Sequence, residues 1–193
     1  GKDNVILDGV KLFSCNNNLN LTNLDLTSWL DGKPSNWTIS SNAQSRIQQI
    51  SNGIRLLHNP LAGGTNVVSY ISYPLSHSVY KSYDVYILKL NIDASNMDIS
   101  SSGRFSVKVC RTDGANISMT PFSSGYVPMK YSKEFTLYLP IYFGYFKDAA
   151  EIRIEWHAFG AVRGGYIDVK NIELHRCGPV SYTHLTLPTI CSV

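Results

Sequence analysis

The chain has 193 residues and a formal net charge of +3, and only 16% of its residues are charged, below the usual quarter. The charge is small and scattered, with no basic run or Arg-rich stripe of the kind that tracks phosphates, so nucleic acid is not an expected partner. No apolar stretch approaches the ~20 residues of a membrane helix, and the abundance of Tyr, Ser, Asn and Gly suits an all-β protein with a hydroxyl- and amide-rich surface, extracellular or virion-borne.

Gly1 to Leu19 is Asn-rich toward its end and reads as a linker, the end of a preceding domain, or a first strand. Ser41 to Ile50 is the one stretch that suggests a turn or two of helix. Beyond it the apolar periodicity is two. Tyr86, Leu88, Leu90 and Ile92 alternate with Ile87, Lys89, Asn91 and Asp93, and Phe105, Val107 and Val109 alternate with Ser106 and Lys108. Each predicts a strand with one face in a core and one in water. The pattern returns at Phe135, Leu137, Leu139 and Ile141, and again at Ile152, Ile154 and Trp156, which oppose Arg153, Glu155 and His157. In the last strand Ile167 and Val169 are followed by Ile172 and Leu174, so the parity flips around Lys170 and Asn171 and a bulge or change of sheet is expected there. Turn signals separate these runs: Asp31-Gly32, Asn52-Gly53, Gly63-Gly64, Ser102-Gly103, Asp113-Gly114, Ser124-Gly125 and Gly164-Gly165. Many strands at such spacing predict a β-sandwich or jelly roll.

The end of the chain, VSYTHLTLPTICSV from Val180 to Val193, resembles one reading frame of a tagmentation sequencing adapter. It is set aside from the fold, with Gly178 as the last securely native residue. The expected organisation is therefore a segment 1–19, a jelly-roll β-sandwich over 20–178 and a non-native tail over 179–193. With Cys191 in that tail, Cys15, Cys110 and Cys177 remain. An odd number without CxxC or Cys/His spacing predicts buried thiols, not a zinc site or disulfide framework.

The order of NLDLTSW (Asn23 to Trp29), Pro34, NWTIS (Asn36 to Ser40), NGIRLLH (Asn52 to His58), VVSYISYPL (Val67 to Leu75), YILKLNID (Tyr86 to Asp93) and GGYIDVKNIEL (Gly164 to Leu174) resembles the galactose-binding-like jelly roll of carbohydrate-binding modules and of phage tail and tail-fibre domains. Where that family opens on an aromatic-acidic pair, this chain has Leu24-Asp25. The resemblance implies a glycan or polysaccharide as partner, held across a sheet face or at the loop edge. It also implies a structural calcium, with Asp168 of the closing strand and Asp25 as its carboxylates; no other cofactor is expected.

Sugar binding needs flat aromatic faces together with amides, carboxylates or guanidinium groups. The water-facing positions that supply them are Arg153, Glu155 and His157, with Lys89 and Asn91 at comparable positions, Tyr138 and Tyr142 as platforms, and Trp29 for a loop-edge site. Trp156 and Trp37 are in phase with core residues. No nucleophile elbow, phosphate loop, HExxH or EF-hand loop is present. Glu151 and Glu155 lie roughly 13 Å apart along one strand, beyond either glycosidase geometry, whereas Glu155 with Glu173 or Asp168 across strands is conceivable. The Asn20, Asn36 and Asn116 glycosylation sequons are read as coincidences of composition. The expected function is a non-catalytic carbohydrate-binding or adhesion module of a larger phage tail, fibre or secreted bacterial protein, beside neighbouring domains. A purely structural tail domain is the alternative, and a glycoside hydrolase fragment a third reading.

Overall fold

A computed structural model describes residues 13–58, 67–81, 84–97, 104–111, 116–123, 134–144, 150–158 and 165–179. Its strands are β1 (Phe13–Asn18), β2 (Trp29–Leu30), β3 (Lys33–Pro34), β4 (Thr38–Ile39), β5 (Ile47–Ile50), β6 (Gly53–Leu57), β7 (Val67–Leu75), β8 (Val85–Asp93), β9 (Arg104–Arg111), β10 (Asn116–Ser123), β11 (Phe135–Tyr142), β12 (Ala150–Ala158) and β13 (Tyr166–Pro179). All pairings are antiparallel. One six-stranded sheet runs β11-β8-β13-β6-β5 with β1 on the far half of β13, and a five-stranded sheet runs β10-β9-β12-β7-β4. The fold is an all-β jelly-roll sandwich. No helix among the described residues is long and apolar enough to cross a membrane.

The core follows from the alternation. Tyr86, Leu88, Leu90 and Ile92 of β8 are buried, as are Phe105, Val107 and Val109 of β9 and Ile152, Ile154 and Trp156 of β12. Side chains at every second strand position share a face, so these three strands bring their apolar faces into one cluster between the sheets. Trp156 donates its indole N–H to the Leu57 carbonyl at 3.0 Å and Trp37 donates to the Asn23 carbonyl at 3.0 Å; both are core, as their phase predicts. Pro140 sits on β11, at the end of its sheet, where strands tolerate proline.

The expected irregularity in the closing strand is a bulge. Lys170 pairs with Asn91 and Glu173 with Lys89, so three steps on β13 oppose two on β8, and Asn171 takes φ +52°. The bulge lets Ile167 and Val169, then Ile172 and Leu174, all face the core.

Two expectations are corrected and one is narrowed. The stretch from Asn23 to Ser28, where the resemblance implies an opening strand, is a turn-rich loop, in which Asn23 and Leu26 adopt φ +56° and +64° so that Leu24 and Leu26 both reach the core; Trp29 begins β2. Within Ser41 to Ile50 only Gln44–Arg46 is helical, as one 3-10 turn, and Ile47–Ile50 is β5. Cys15 and Cys177 are not separate thiols but a disulfide that spans 162 residues of sequence. Their strands β1 and β13 are neighbours, a pairing that no spacing rule exposes; among the described residues Cys110 is the one free cysteine. The same pairing makes Phe13–Asn18 a strand of the domain, not a linker. The Asp31-Gly32 turn, with φ +51° and +71°, forms the two-residue loop between β2 and β3. The other glycine pairs at 63–64, 102–103, 113–114 and 124–125 lie outside the described residues, as do Gly164 and the tail from Val180.

Candidate functional site

Two outward sheet faces divide the residues that the sequence singled out. Arg153, Glu155 and His157 project from β12 on the outside of the five-stranded sheet, whereas Lys89, Asn91, Tyr138 and Tyr142 lie on the outside of the six-stranded sheet. They cannot form one site, because the core separates them.

On the five-stranded face Arg153 stands opposite Lys108 of β9 and Ser72 of β7, and Glu155 stands opposite Ser106 and Tyr70. Lys108 Nζ is 2.7 Å from Glu155 Oε1, Arg153 Nη1 is 3.8 Å from the same oxygen, and Arg153 Nη2 donates to Glu151. The Arg153 guanidinium also lies 4.4 Å from the centre of the Tyr70 ring, within cation–π range. These charged side chains retain only 13–19% of their exposure, against 38% for Lys89 and Arg176 elsewhere. Burial pulls the Arg153 guanidinium down, but Glu151 and Glu155 outweigh it and leave the group raised. Cys110 faces outward beside Glu151, with Sγ 3.6 Å from its carboxylate; burial first and then that carboxylate push the thiol up to about 11. The arrangement is a sheltered, cross-linked array of donors and acceptors whose positions are fixed by one another.

Chemically this array can hold hydroxyl groups. Glu151 and Glu155 flank Arg153 instead of facing a common space, and Glu155 lies on the opposite sheet from Glu173 and Asp168, so the cross-strand carboxylate pairs do not exist. Lys108, Glu151 and Tyr70 are the members that sequence reasoning missed. Lys108 and Tyr70 could have been found only from the register that puts them beside β12.

The residues named for calcium are used otherwise. Asp168 accepts from Arg55 through both oxygens, Nε–Oδ1 at 2.7 Å and Nη2–Oδ2 at 2.9 Å, and Arg55 in turn lies over the Tyr166 ring at 3.9 Å. These hydrogen bonds hold the Arg55 guanidinium above its usual value. Asp25 is exposed and accepts from the Thr27 hydroxyl at 3.0 Å. It borders a cleft of about 300 Å³ with Asn18, Asn20, Asn52, Asn171 and Glu173, and Asp168 is not among the lining residues. Among the described residues no three His, Cys, Asp or Glu side chains converge on a metal position. Among the described residues, then, Asp168 is engaged by the Arg55 guanidinium and Asp25 borders a cleft that does not include Asp168. Trp29 is half-buried, packs against the core and donates its indole N–H to the Leu26 carbonyl; it is not an open platform.

No family model matches the chain, and no curated protein matches it in sequence. Among solved structures it is similar to a CBM4 carbohydrate-binding module, at 8% identity and a TM-score of 0.51 over 73% of this chain and 94% of the other. It is also similar to the Stig cyclase Fisc from Fischerella sp. TAU, at 13% identity and a TM-score of 0.50 over 87% and 100% of the two chains. A MgGH51 α-L-arabinofuranosidase gives 13% identity and a TM-score of 0.48 over 74% of this chain, which spans only 23% of that enzyme. At these identities the likeness to the first two establishes the fold alone, an antiparallel β-sandwich. A module and a cyclase share it, so function has to be argued from the site.

Proposed function

We propose that this domain is a non-catalytic glycan-binding module that holds its ligand on the outer face of the five-stranded sheet. The observation that carries the reading is the sheltered network of Lys108, Glu151, Arg153 and Glu155 around Tyr70. The hydrophobic core does not require these charges, and a fixed array of charged donors and acceptors is what sugar hydroxyls need. His157, two residues along the same strand, extends the array. The fold shared with a carbohydrate-binding module supports the same reading. The Cys15–Cys177 disulfide supports an oxidising, extracellular or virion setting, in which the module would tether a larger phage or secreted bacterial protein to its polysaccharide.

A glycan array of plant and host-surface polysaccharides, followed by calorimetry on the full chain, tests the proposal. Neutral oligosaccharides are expected to bind, and Arg153→Ala is expected to weaken them at least tenfold while the protein stays folded. Retention of affinity in that variant, or no neutral ligand on the array, would sink it.

A further inference from the structure

The six-stranded sheet is interrupted along one side of β13. There β6 pairs with Tyr166 to Lys170 and β1 with His175 to Pro179, so Asn171 to Leu174 lie between the ends of two strands. The turn between β5 and β6 brings Asn52 to this gap, and the chain leaving β1 brings Asn18, Asn20 and Leu21. The cleft of about 300 Å³ that Asp25 borders is this notch. Leu24 and Ile172 also line it and are 3% and 2% exposed, so its floor is the edge of the core.

Backbone contacts fix the walls. Asn171 N–H donates to the Asn52 carbonyl and Leu19 N–H to the Leu174 carbonyl, each at 3.0 Å, one at either end of the gap. Asn20, Asn52 and Asn171 take φ +49°, +58° and +52°, a left-handed conformation in which asparagine is enriched. The side-chain amides of Asn52 and Asn171 make no hydrogen bond among the described residues. Asp25 receives the Thr27 N–H and hydroxyl on Oδ1, and Glu173 meets His175 and Lys89 through Oε2. One oxygen of each carboxylate is therefore left without a partner among the described residues.

We infer that this notch is a second ligand site, for one neutral sugar residue at the end or branch of a glycan. Sugar hydroxyls would donate to Asp25 and Glu173 and accept from the Asn52 and Asn171 amides, while a C–H face rests on Leu21, Leu24 and Ile172. Such a mixture of an apolar floor and a few convergent polar groups is what small-ligand pockets share, and about 300 Å³ is the small end of their range. The end of β1 and the β5–β6 turn bound the notch along β13, which suits a terminal residue more than a chain running through. No cationic side chain lines it among the described residues, so a sugar acid would lack a counter-charge. A hydroxyl uses the N–H donors of the amides and a bare cation does not, which favours the sugar over a metal ion. The site does not rest on the reading of the five-stranded face, from which the core separates it.

The test is NMR titration of the isotope-labelled full chain with glucose, galactose, mannose, arabinose and N-acetylglucosamine, with glucuronate and calcium chloride as separate arms. At least one neutral sugar is expected to shift the side-chain amide resonances of Asn52 and Asn171. Asp25→Ala should weaken that binding at least tenfold, the scale of a lost hydrogen bond to a charged group. Asn171→Gly should weaken it too without a shift in Tm, since glycine keeps the left-handed backbone and removes only the amide. Gln48→Ala, which deletes an exposed amide on β5, should change neither. The inference is overturned if no neutral sugar shifts those resonances, if both notch variants bind as the parent does, or if the Gln48 variant loses as much. Equal shifts from glucuronate or from calcium chloride alone would overturn it as well. Resonance shifts confined to Tyr70, Lys108 and Arg153 would support the five-stranded face and reject the notch, so the two sites succeed or fail separately.

Discussion

Arg153 and Trp156 are three residues apart on one strand and point to opposite sides of it, so they separate binding from stability. Trp156 is 1% exposed and its indole N–H is hydrogen-bonded; Trp156→Ala is expected to cost about 3 to 5 kcal/mol in chemical denaturation. Arg153→Ala removes a charged hydrogen bond from Glu151 and should cost about 1 to 3 kcal/mol. A Trp156 variant that kept full stability would show that the ring is not core. Cys110 supplies a pH signature. Its folded thiol is pushed to about 11, from 9.0 when unperturbed. The stabilisation is therefore complete below pH 9 and is lost as the pH rises through 11. The two-unit difference corresponds to about 3 kcal/mol. The phenols of Tyr73 and Tyr86, raised by burial, add losses of the same sign at higher pH. Cys110→Ala should flatten the fall in Tm between pH 9 and 11, and an unchanged slope would rule the thiol out as its source.

At the scale of the elements, the closing strand depends on one close approach. Gly53 opens β6 opposite Lys170, and a β-carbon there would meet the Val169 carbonyl oxygen at 2.1 Å and Lys170 Cα at 2.9 Å. Both are backbone atoms of β13, so Gly53→Ala must push the two strands apart; a loss of roughly 3 kcal/mol is expected, at the upper end of overpacking effects. A loss below about 0.5 kcal/mol would mean that β6 shifts freely against β13. The loop from Asn23 to Ser28 is held differently. Asn23 accepts from Ser28 N–H at 2.6 Å and donates to the Ser28 and Ser35 carbonyls, so one amide side chain organises a loop where the family resemblance implies a strand.

For the molecule as a whole, the ends of the described fold are pinned together. β1 lies along the second half of β13, and Cys15–Cys177 closes a span of 162 residues. A cross-link over so long a loop restricts the unfolded chain strongly, and replacing both cysteines by serine is expected to cost 2 to 5 kcal/mol. The comparison is best made by denaturant titration of the oxidised protein and the double variant. Equal midpoints would show that strand pairing alone holds β1 in place.

The period-two alternation of β8, β9, β11 and β12, the parity flip at Asn171 and the core positions of Trp37 and Trp156 were legible in the sequence, because each depends on the direction of side chains along a single strand. The same reasoning identified Arg153, Glu155 and His157 as one outward set. It could not place Lys89 and Tyr138 on the other side of the sandwich, since which strand lies beside which is decided by packing between segments far apart in the chain. The Cys15–Cys177 bond, the capture of Asp168 by Arg55, and the joining of Lys108 and Tyr70 to Arg153 have the same origin. Local sequence sets the face to which each side chain points; long-range strand order sets the partners that it finds there, and the proposed binding chemistry rests on those partners.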